Sequence, residues 1–108
     1  MSSPESIRFS ECPVTEAVQA NPFYQSAELG VDSGFWASEP GIIELDFGPS
    51  QCELCTLLQG KVRLSSANGH EAIYCAGDTF IMPTGFRGRW ETLETVRKYY
   101  LILQRPEA

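Results

Sequence analysis

Histidine, long apolar runs and targeting segments are scarce or missing in this sequence. His70 is the single histidine among 108 residues. No apolar run approaches the roughly 20 residues that a membrane span needs, and the first ten residues lack the basic start and apolar core of a signal peptide. These absences predict a cytoplasmic protein without a membrane partner.

Positive charge is almost missing from the first sixty residues. Arg8 is the only base there, against nine acids, and the formal net charge of the whole chain is −6. This balance argues against nucleic acid as a partner. The later bases include a cluster of Arg87, Arg89, Arg97 and Lys98. This cluster could receive an anionic ligand, or its members could pair with acids of the first half or lie in solvent.

The four cysteines do not predict a disulfide or a zinc site. Cys52 and Cys55 have the spacing of a redox or metal pair, but residues 51–58 read as a strand. Side chains three positions apart in a strand point to opposite faces, so one metal ion or one disulfide could not easily use both. We therefore expect reduced and mostly buried cysteines, as in a cytosolic protein.

The pattern of the chain indicates one all-β domain. A chain of 108 residues that is 43% hydrophobic can bury one core and has no room for a second. From Ser33 onward, short apolar or alternating runs are separated by turn residues, as in a sandwich or barrel. The predicted strands are residues 34–39, 42–47, 52–58, 61–65, 71–75, 79–82, 88–92 and 97–103.

Glycine and proline mark the predicted turns. Pro40-Gly41 and Asn68-Gly69 each predict a hairpin, the second between alternating apolar runs. Before Ser33 the pattern is weaker: Ile7 and Phe9 could form an edge strand, and residues 14–19 could form one helical turn. We therefore divide the chain into an N-terminal extension, residues 1–32, and a barrel, residues 33–108.

Two spacings match parts of known sequence motifs. Glu53 is followed by six residues and Gly60, as in the latter part of the first cupin motif, and Gly77 is followed by five residues and Pro-x-Gly, as at the start of the second. The wider segments are GFWASEPG at 34–41, ELCTLLQG at 53–60 and AGDTFIMPTGFRGRWETLETVRKYYLI at 76–102. With these segments the chain resembles the small-cupin family that includes the cupin domain of (S)-ureidoglycine aminohydrolase. The resemblance implies an RmlC-like jelly-roll β-barrel.

The resemblance also shows which metal ligands are missing. The two histidines that precede the motif glutamate in metal-binding cupins would fall on Phe47 and Pro49, or on Asp46 and Gly48, and the histidine of the second motif would fall on Gly88. A transition metal needs three or four converging donors. We therefore expect no tightly bound metal and no cofactor, and we expect His70 to be an exposed turn residue.

The same alignment predicts a polar pocket inside the barrel. It turns Glu53 inward, and strand alternation sends Cys55 and Leu57 the same way. On the last strand, periodicity leaves two sets open, one with Lys98, Tyr100 and Ile102 inward and one with Arg97, Tyr99, Leu101 and Leu103 inward. The resemblance favours the first set, so Lys98 is the expected partner of Glu53. The candidate catalytic residues are Glu53 and Lys98, and the candidate ligand-binding residues are Trp36, Cys55, Trp90, Tyr100 and Arg89.

Three kinds of function remain open from the sequence. The first is a module that binds a small polar metabolite without a metal. The second is a small-molecule enzyme, an amide or ureide hydrolase or an isomerase, in which Glu53 or Lys98 moves a proton. The third is an interaction domain with a vestigial pocket. A homodimer is expected in each case, with its contact at the last strand and the region of Ile7 and Phe9.

Overall fold

The computed structural model describes residues 4–13 and 20–106, and the expected all-β fold is confirmed. A short 3-10 helix, Phe9–Glu11, precedes the strands. The described strands are β1 Ala20–Ser26, β2 Val31–Ser38, β3 Gly41–Asp46, β4 Gln51–Ser66, β5 Glu71–Cys75, β6 Thr79–Met82 and β7 Arg87–Gln104. Within these residues, no helix has the length and apolar character required to cross a membrane.

Two long antiparallel strands, β4 and β7, organise the sheet. They pair with each other along most of their length. The other edge of β7 pairs first with β3 and then with β2, and the other edge of β4 pairs with β6 and then with β5. The result is two half-sheets that share β4 and β7, one ordered β1-β2-β7-β4-β6 and the other β3-β7-β4-β5. This arrangement is consistent with the predicted jelly-roll barrel.

A bend in β4 folds the half-sheets over each other. The pairing with β7 shifts register three times between Leu57 and Val62, and such bulges bend a strand and increase its twist. Trp90 and Lys98 show the effect: they are eight residues apart on β7, about 26 Å in an extended strand. Yet Lys98 Nζ lies 4.1 Å from the centre of the Trp90 ring.

The main core lies between the two half-sheets. Its buried members come from alternate positions of β4, β6 and β7, together with the residue that follows β3: Phe47, Cys55, Leu57, Val62, Leu64, Phe80, Met82, Trp90 and Val96. Alternation thus gives each long strand one apolar inner face. The same inner face carries the polar residues of the candidate site.

The N-terminal segment packs on the outside of the barrel, and its predicted edge strand is wrong. Phe9 lies in the 3-10 helix, and its ring contacts those of Phe23 and Tyr99 edge-on, at 5.6 Å between centroids in each case. Ile7 has no regular structure and is exposed. The helical turn predicted for residues 14–19 lies outside the described residues.

Several predicted boundaries also differ from the structure. Residues 52–58 and 61–65 belong to one strand, β4, and residues 88–92 and 97–103 belong to one strand, β7. The bulges keep both strands continuous where the sequence suggests a break. β1 and the start of β2 lie inside the predicted extension, so the sheet begins at Ala20.

The two predicted hairpins have different outcomes. Asn68-Gly69 does join β4 and β5, with Gly69 at φ +93° and its N–H donating to Ser66 O at 3.0 Å. The hairpin at Pro40-Gly41 is wrong, because β2 and β3 pair with successive parts of β7 and not with each other. The turn at Pro40-Gly41 moves the chain along one edge of β7.

Candidate functional site

A cavity of about 290 Å³ opens on the inner face of the barrel. Three charged side chains and three aromatic rings line it among apolar side chains: Asp32, Glu53 and Lys98; Trp36, Trp90 and Tyr100; and Ala20, Ile43, Leu45, Met82 and Ile102. Sites for small ligands have this composition, a mainly apolar wall with a few polar groups.

Strand register explains why these residues meet. Asp32 on β2 and Glu53 on β4 both lie opposite Ile102 of β7, one on each side. Two residues before Ile102 on β7, Tyr100 lies opposite Cys55 of β4. Two residues before Tyr100, Lys98 lies opposite Trp36 of β2. The structure thus selects the first of the two alternatives for β7, with Lys98, Tyr100 and Ile102 facing the cavity.

Glu53 and Lys98 form a buried ion pair in the cavity wall. Lys98 Nζ lies 2.7 Å from Glu53 Oε2, and the two residues are 6% and 8% exposed, Lys98 first. The ammonium also faces the rings of Trp36 and Trp90, at 4.6 and 4.1 Å from their centres. A carboxylate and two aromatic faces therefore compensate the charge of Lys98.

Cys55 forms hydrogen bonds with both members of this pair and does not line the cavity. Its side chain is fully buried, its Sγ–H donates to Glu53 Oε2 at 3.1 Å, and Lys98 Nζ donates to Sγ at 3.4 Å. Burial raises the pKa of the Cys55 thiol to about 12; Lys98 opposes this shift and Glu53 adds to it. The thiol is a neutral hydrogen-bond donor and not a thiolate nucleophile.

Tyr100 and Asp32 form a second polar group in the cavity. Tyr100 is 5% exposed, and its buried hydroxyl makes no hydrogen bond of good geometry among the described residues. Burial, followed by the negative charge of Asp32 and hydrogen bonding to it, raises the pKa of Tyr100 to about 12. The sequence analysis does not include Asp32 in the site, because the predicted strand begins at Gly34 while β2 begins at Val31. A start at Val31 would have placed Asp32 on the same face as Trp36, four positions on.

Arg89 is the one predicted site residue on the opposite face of the sheet. Its neighbour Trp90 points inward, so alternation turns Arg89 outward, where its Nε lies 2.8 Å from Glu44 Oε1. The Arg89 side chain therefore lies on the face away from this cavity. Arg87 likewise pairs with Asp46. For these two arginines and for Lys98, the structure favours pairing with acids of the first half over the binding of an anion.

The residues present do not fit the metal site of a metal-binding cupin. The donors beside Glu53 are a protonated thiol and an ammonium group that already contacts both. A Cβ on Gly88, the position of the second-motif histidine, would lie 1.9 Å from the backbone oxygen of Ser65. Across residues 4–13 and 20–106, no three His, Cys, Asp or Glu side chains are grouped so that they could hold a metal ion.

Comparisons with known proteins agree with the fold. Residues 26–100 match the family model described as an EutQ-like cupin domain. A DUF861-family protein of Thermotoga maritima is 32% identical, with a TM-score of 0.57 over 69% of this chain and 80% of that one. A comparison with functionally curated proteins gives no match.

More distant structures show the fold alone. A putative ethanolamine utilization protein q of Salmonella typhimurium is 19% identical, with a TM-score of 0.67 over 78% of this chain and 67% of that one. A double-stranded β-helix protein of Klebsiella pneumoniae is 16% identical, with a TM-score of 0.68 over 94% and 91%. The narrower resemblance to the family of the ureidoglycine aminohydrolase cupin domain stays a prediction.

Proposed function

This chain belongs to the EutQ-like cupin domain family, and we propose that its barrel is a module that binds a small polar metabolite. The observation that carries the proposal is the cavity of about 290 Å³ with a buried ion pair in its wall. This volume lies just below the usual range for ligand sites, roughly 300–1,000 Å³, and suits a small molecule. A cytoplasmic location is part of the proposal, since four free thiols suit a reducing compartment.

The wall offers hydrogen-bonding groups that the protein itself leaves unused. Within the described part of the chain, both contacts of the Glu53 carboxylate are made by Oε2, from Lys98 and Cys55, and none by Oε1. The carboxylate of Asp32 also lines the cavity, and its one hydrogen bond of good geometry there comes from Gln25 Nε2 at 3.2 Å. Such groups orient a ligand, while the indole rings and aliphatic side chains cover its apolar part.

Binding is favoured over catalysis by the state of the candidate catalytic groups. A general acid or base must reach the proton that it moves. Lys98 is engaged with Glu53 and Cys55, and the Cys55 thiol is covered and protonated. An enzyme remains the second candidate, because Glu53 Oε1 could act as a base toward a bound amide, ureide or isomerisable substrate.

Incubation of the purified protein with a metabolite extract tests this proposal. After removal of unbound material, mass spectrometry would measure which compounds are retained and which are consumed. We expect at least one compound to be retained and none to be consumed. Consumption of a compound would establish the enzyme, and neither retention nor consumption would leave the vestigial-pocket interaction domain.

Two lysine variants locate the retained compound. Lys98→Met removes the ammonium group from the cavity wall and leaves the Glu53 carboxylate without its partner, so it should change the amount of compound that is retained. Lys61→Met is the matched control, because Lys61 is half-exposed and pairs with Glu94 on the other face of the sheet. Equal retention by Lys98→Met, in a variant that folds, would contradict a site at the Glu53–Lys98 pair.

A further inference from the structure

We infer that the ligand of this cavity is a small organic cation, a protonated amine attached to a compact apolar body. This inference rests on the proposed function and adds the charge class of the ligand. It is carried by the charges of the cavity wall and by the acceptor sites that the carboxylates there leave open.

The cavity wall has an excess of one negative charge. Asp32 and Glu53 each contribute a carboxylate, and Lys98 contributes one ammonium group. The structure pairs Lys98 with Glu53 at 2.7 Å, so the carboxylate of Asp32 is the charge left over. Charges at a partly dehydrated wall interact more strongly than in water, and the net charge of −6 adds a field of the same sign.

An anionic ligand would have no cation available in this cavity. The ammonium of Lys98 donates to Glu53 and Cys55, and it also faces both indole rings. An anion would have to displace Glu53 from Lys98 and would also meet the charge of Asp32. Both effects disfavour carboxylates and phosphates as ligands.

The unused acceptors match the donors of an ammonium group. Asp32 Oδ1 accepts from Gln25 Nε2 at 3.2 Å, and the charge and hydrogen bonding of Asp32 also act on the Tyr100 hydroxyl. A carboxylate has about four acceptor sites and an ammonium carries three N–H donors, so Asp32 can hold an ammonium group in addition to its contact with Gln25.

The rest of the wall favours an apolar body on the ligand. Ile43, Leu45 and Ile102 also line the cavity, with Ile102 between the two carboxylates, and they offer no hydrogen-bonding side chain. Asp32 and Glu53 lie on strands that flank β7, about 10 Å apart between Cα atoms. One cationic group near Asp32 with a compact hydrocarbon beside Ile102 fits this spacing.

Three probes of one shape and different charge test the inference: cyclohexylamine, cyclohexanol and cyclohexanecarboxylate. Both tryptophans of the chain line the cavity, so tryptophan fluorescence reports binding. We expect the amine to bind at least tenfold more tightly than the alcohol, and the carboxylate to bind most weakly. Equal or tighter binding of the alcohol or the carboxylate would overturn the cation inference and leave the binding function intact.

Two variants complete the test. Asp32→Asn should reduce the affinity for the amine to that for the alcohol. Asp46→Asn, which changes an exposed carboxylate paired with Arg87, should change neither affinity. Unchanged amine binding in Asp32→Asn would overturn the inference.

The metabolite experiment decides the case in which none of the three probes binds. If none of the three probes binds but a compound is retained from the extract, the charge of that compound decides: a neutral or anionic compound overturns the cation inference. If nothing is retained either, the proposed function and this inference both fail.

Discussion

Lys98 occupies a position that would be costly for a lysine without its neighbours. An ammonium group removed from water costs several kcal/mol unless charges and hydrogen bonds replace the water. Here Glu53 supplies the charge, Cys55 a further acceptor, and Trp36 and Trp90 two aromatic faces. The loss of stability on removing Lys98 or Glu53 therefore depends strongly on whether the remaining member of the pair stays charged.

A double-mutant cycle measures this dependence. Lys98→Met leaves the Glu53 carboxylate buried and unpaired, so we expect a loss of about 3–5 kcal/mol in the free energy of unfolding. Adding Glu53→Gln to that variant should restore most of the loss, because both side chains are then neutral. Urea unfolding of the two single variants and the double variant gives the values. Additive losses would contradict a coupled pair.

The Cys55 thiol makes stability depend on alkaline pH. Its pKa is raised from 9.0 to about 12 in the folded protein, chiefly by burial. Above about pH 9 the unfolded chain therefore releases a proton that the folded chain retains, so stability falls as pH rises from about 9 toward 12. Tyr100, with its pKa raised from 10.0 to about 12, adds to this loss above pH 10.

Cys55→Ala should flatten this decline. Urea unfolding at steps from pH 8 to 11 would show a smaller loss of stability with pH in Cys55→Ala than in the parent protein. Cys75→Ala is the matched control, because Cys75 is exposed, and it should keep the parent slope. The same slope in all three proteins would show that the buried thiol does not set the alkaline limit.

At the scale of elements, the site depends on the bend of the β4–β7 pair. Gly60 lies at this bend with φ +92°, and a Cβ there would be 2.1 Å from the backbone oxygen of Thr95. Glycine is thus required for the close approach of two backbones as well as for the positive φ. Without this bend, Trp90 could not lie over Lys98.

Gly60→Ala and Gly77→Ala separate these two requirements. Both positions have similar φ values, +92° and +96°, but a Cβ on Gly77 would meet nothing within 4 Å. We expect Gly77→Ala to cost on the order of 1–2 kcal/mol from backbone strain. Gly60→Ala should cost about 2 kcal/mol more, because the strands must separate. Thermal unfolding measures both, and equal losses would contradict the close approach.

Sequence patterns predict faces in this fold better than they predict element ends. Alternation places Glu53, Cys55 and Leu57 on one face, as the structure does, because a strand has a fixed period of two. Gly60 looks like a strand end, and only the neighbouring strand shows that it is a bulge. β1 is likewise hard to predict, because it contains Pro22, and a proline within a run argues against a strand. In the structure the β1–β2 register shifts at this proline. The partner of Lys98 could be predicted only through the family resemblance, since both faces of β7 carry apolar residues.

At the scale of the molecule, charged and apolar residues divide the outer surface of the barrel. Around β3 and the first half of β7, directly opposed acids and bases pair across the strands, as in Glu44 with Arg89, which supports the register. The outer face of the other half-sheet carries an apolar strip instead, formed by Leu54, Ile81, Leu101 and Leu103. Single exposed apolar residues are ordinary, but a contiguous strip indicates an interface.

The structure changes where the predicted homodimer can form. β7 pairs along both edges, so the last strand cannot add to a partner's sheet, and Phe9 is packed against Phe23 and Tyr99. The homodimer itself stays a prediction. We now expect its contact at the apolar strip, because Leu54 and Ile81 lie side by side and are 42% and 58% exposed.

Light scattering after size-exclusion chromatography at micromolar concentration tests this arrangement. In a two-fold dimer the same strip of each copy forms the contact. One substitution in the strip therefore buries two new charges in the dimer interface. Ile81→Glu should therefore convert the dimer to a monomer. Ile73→Glu, at an isoleucine of equal exposure on β5, should leave the dimer intact. A monomeric parent protein would exclude the homodimer. If Ile81→Glu is still a dimer, the contact lies on a face other than the apolar strip.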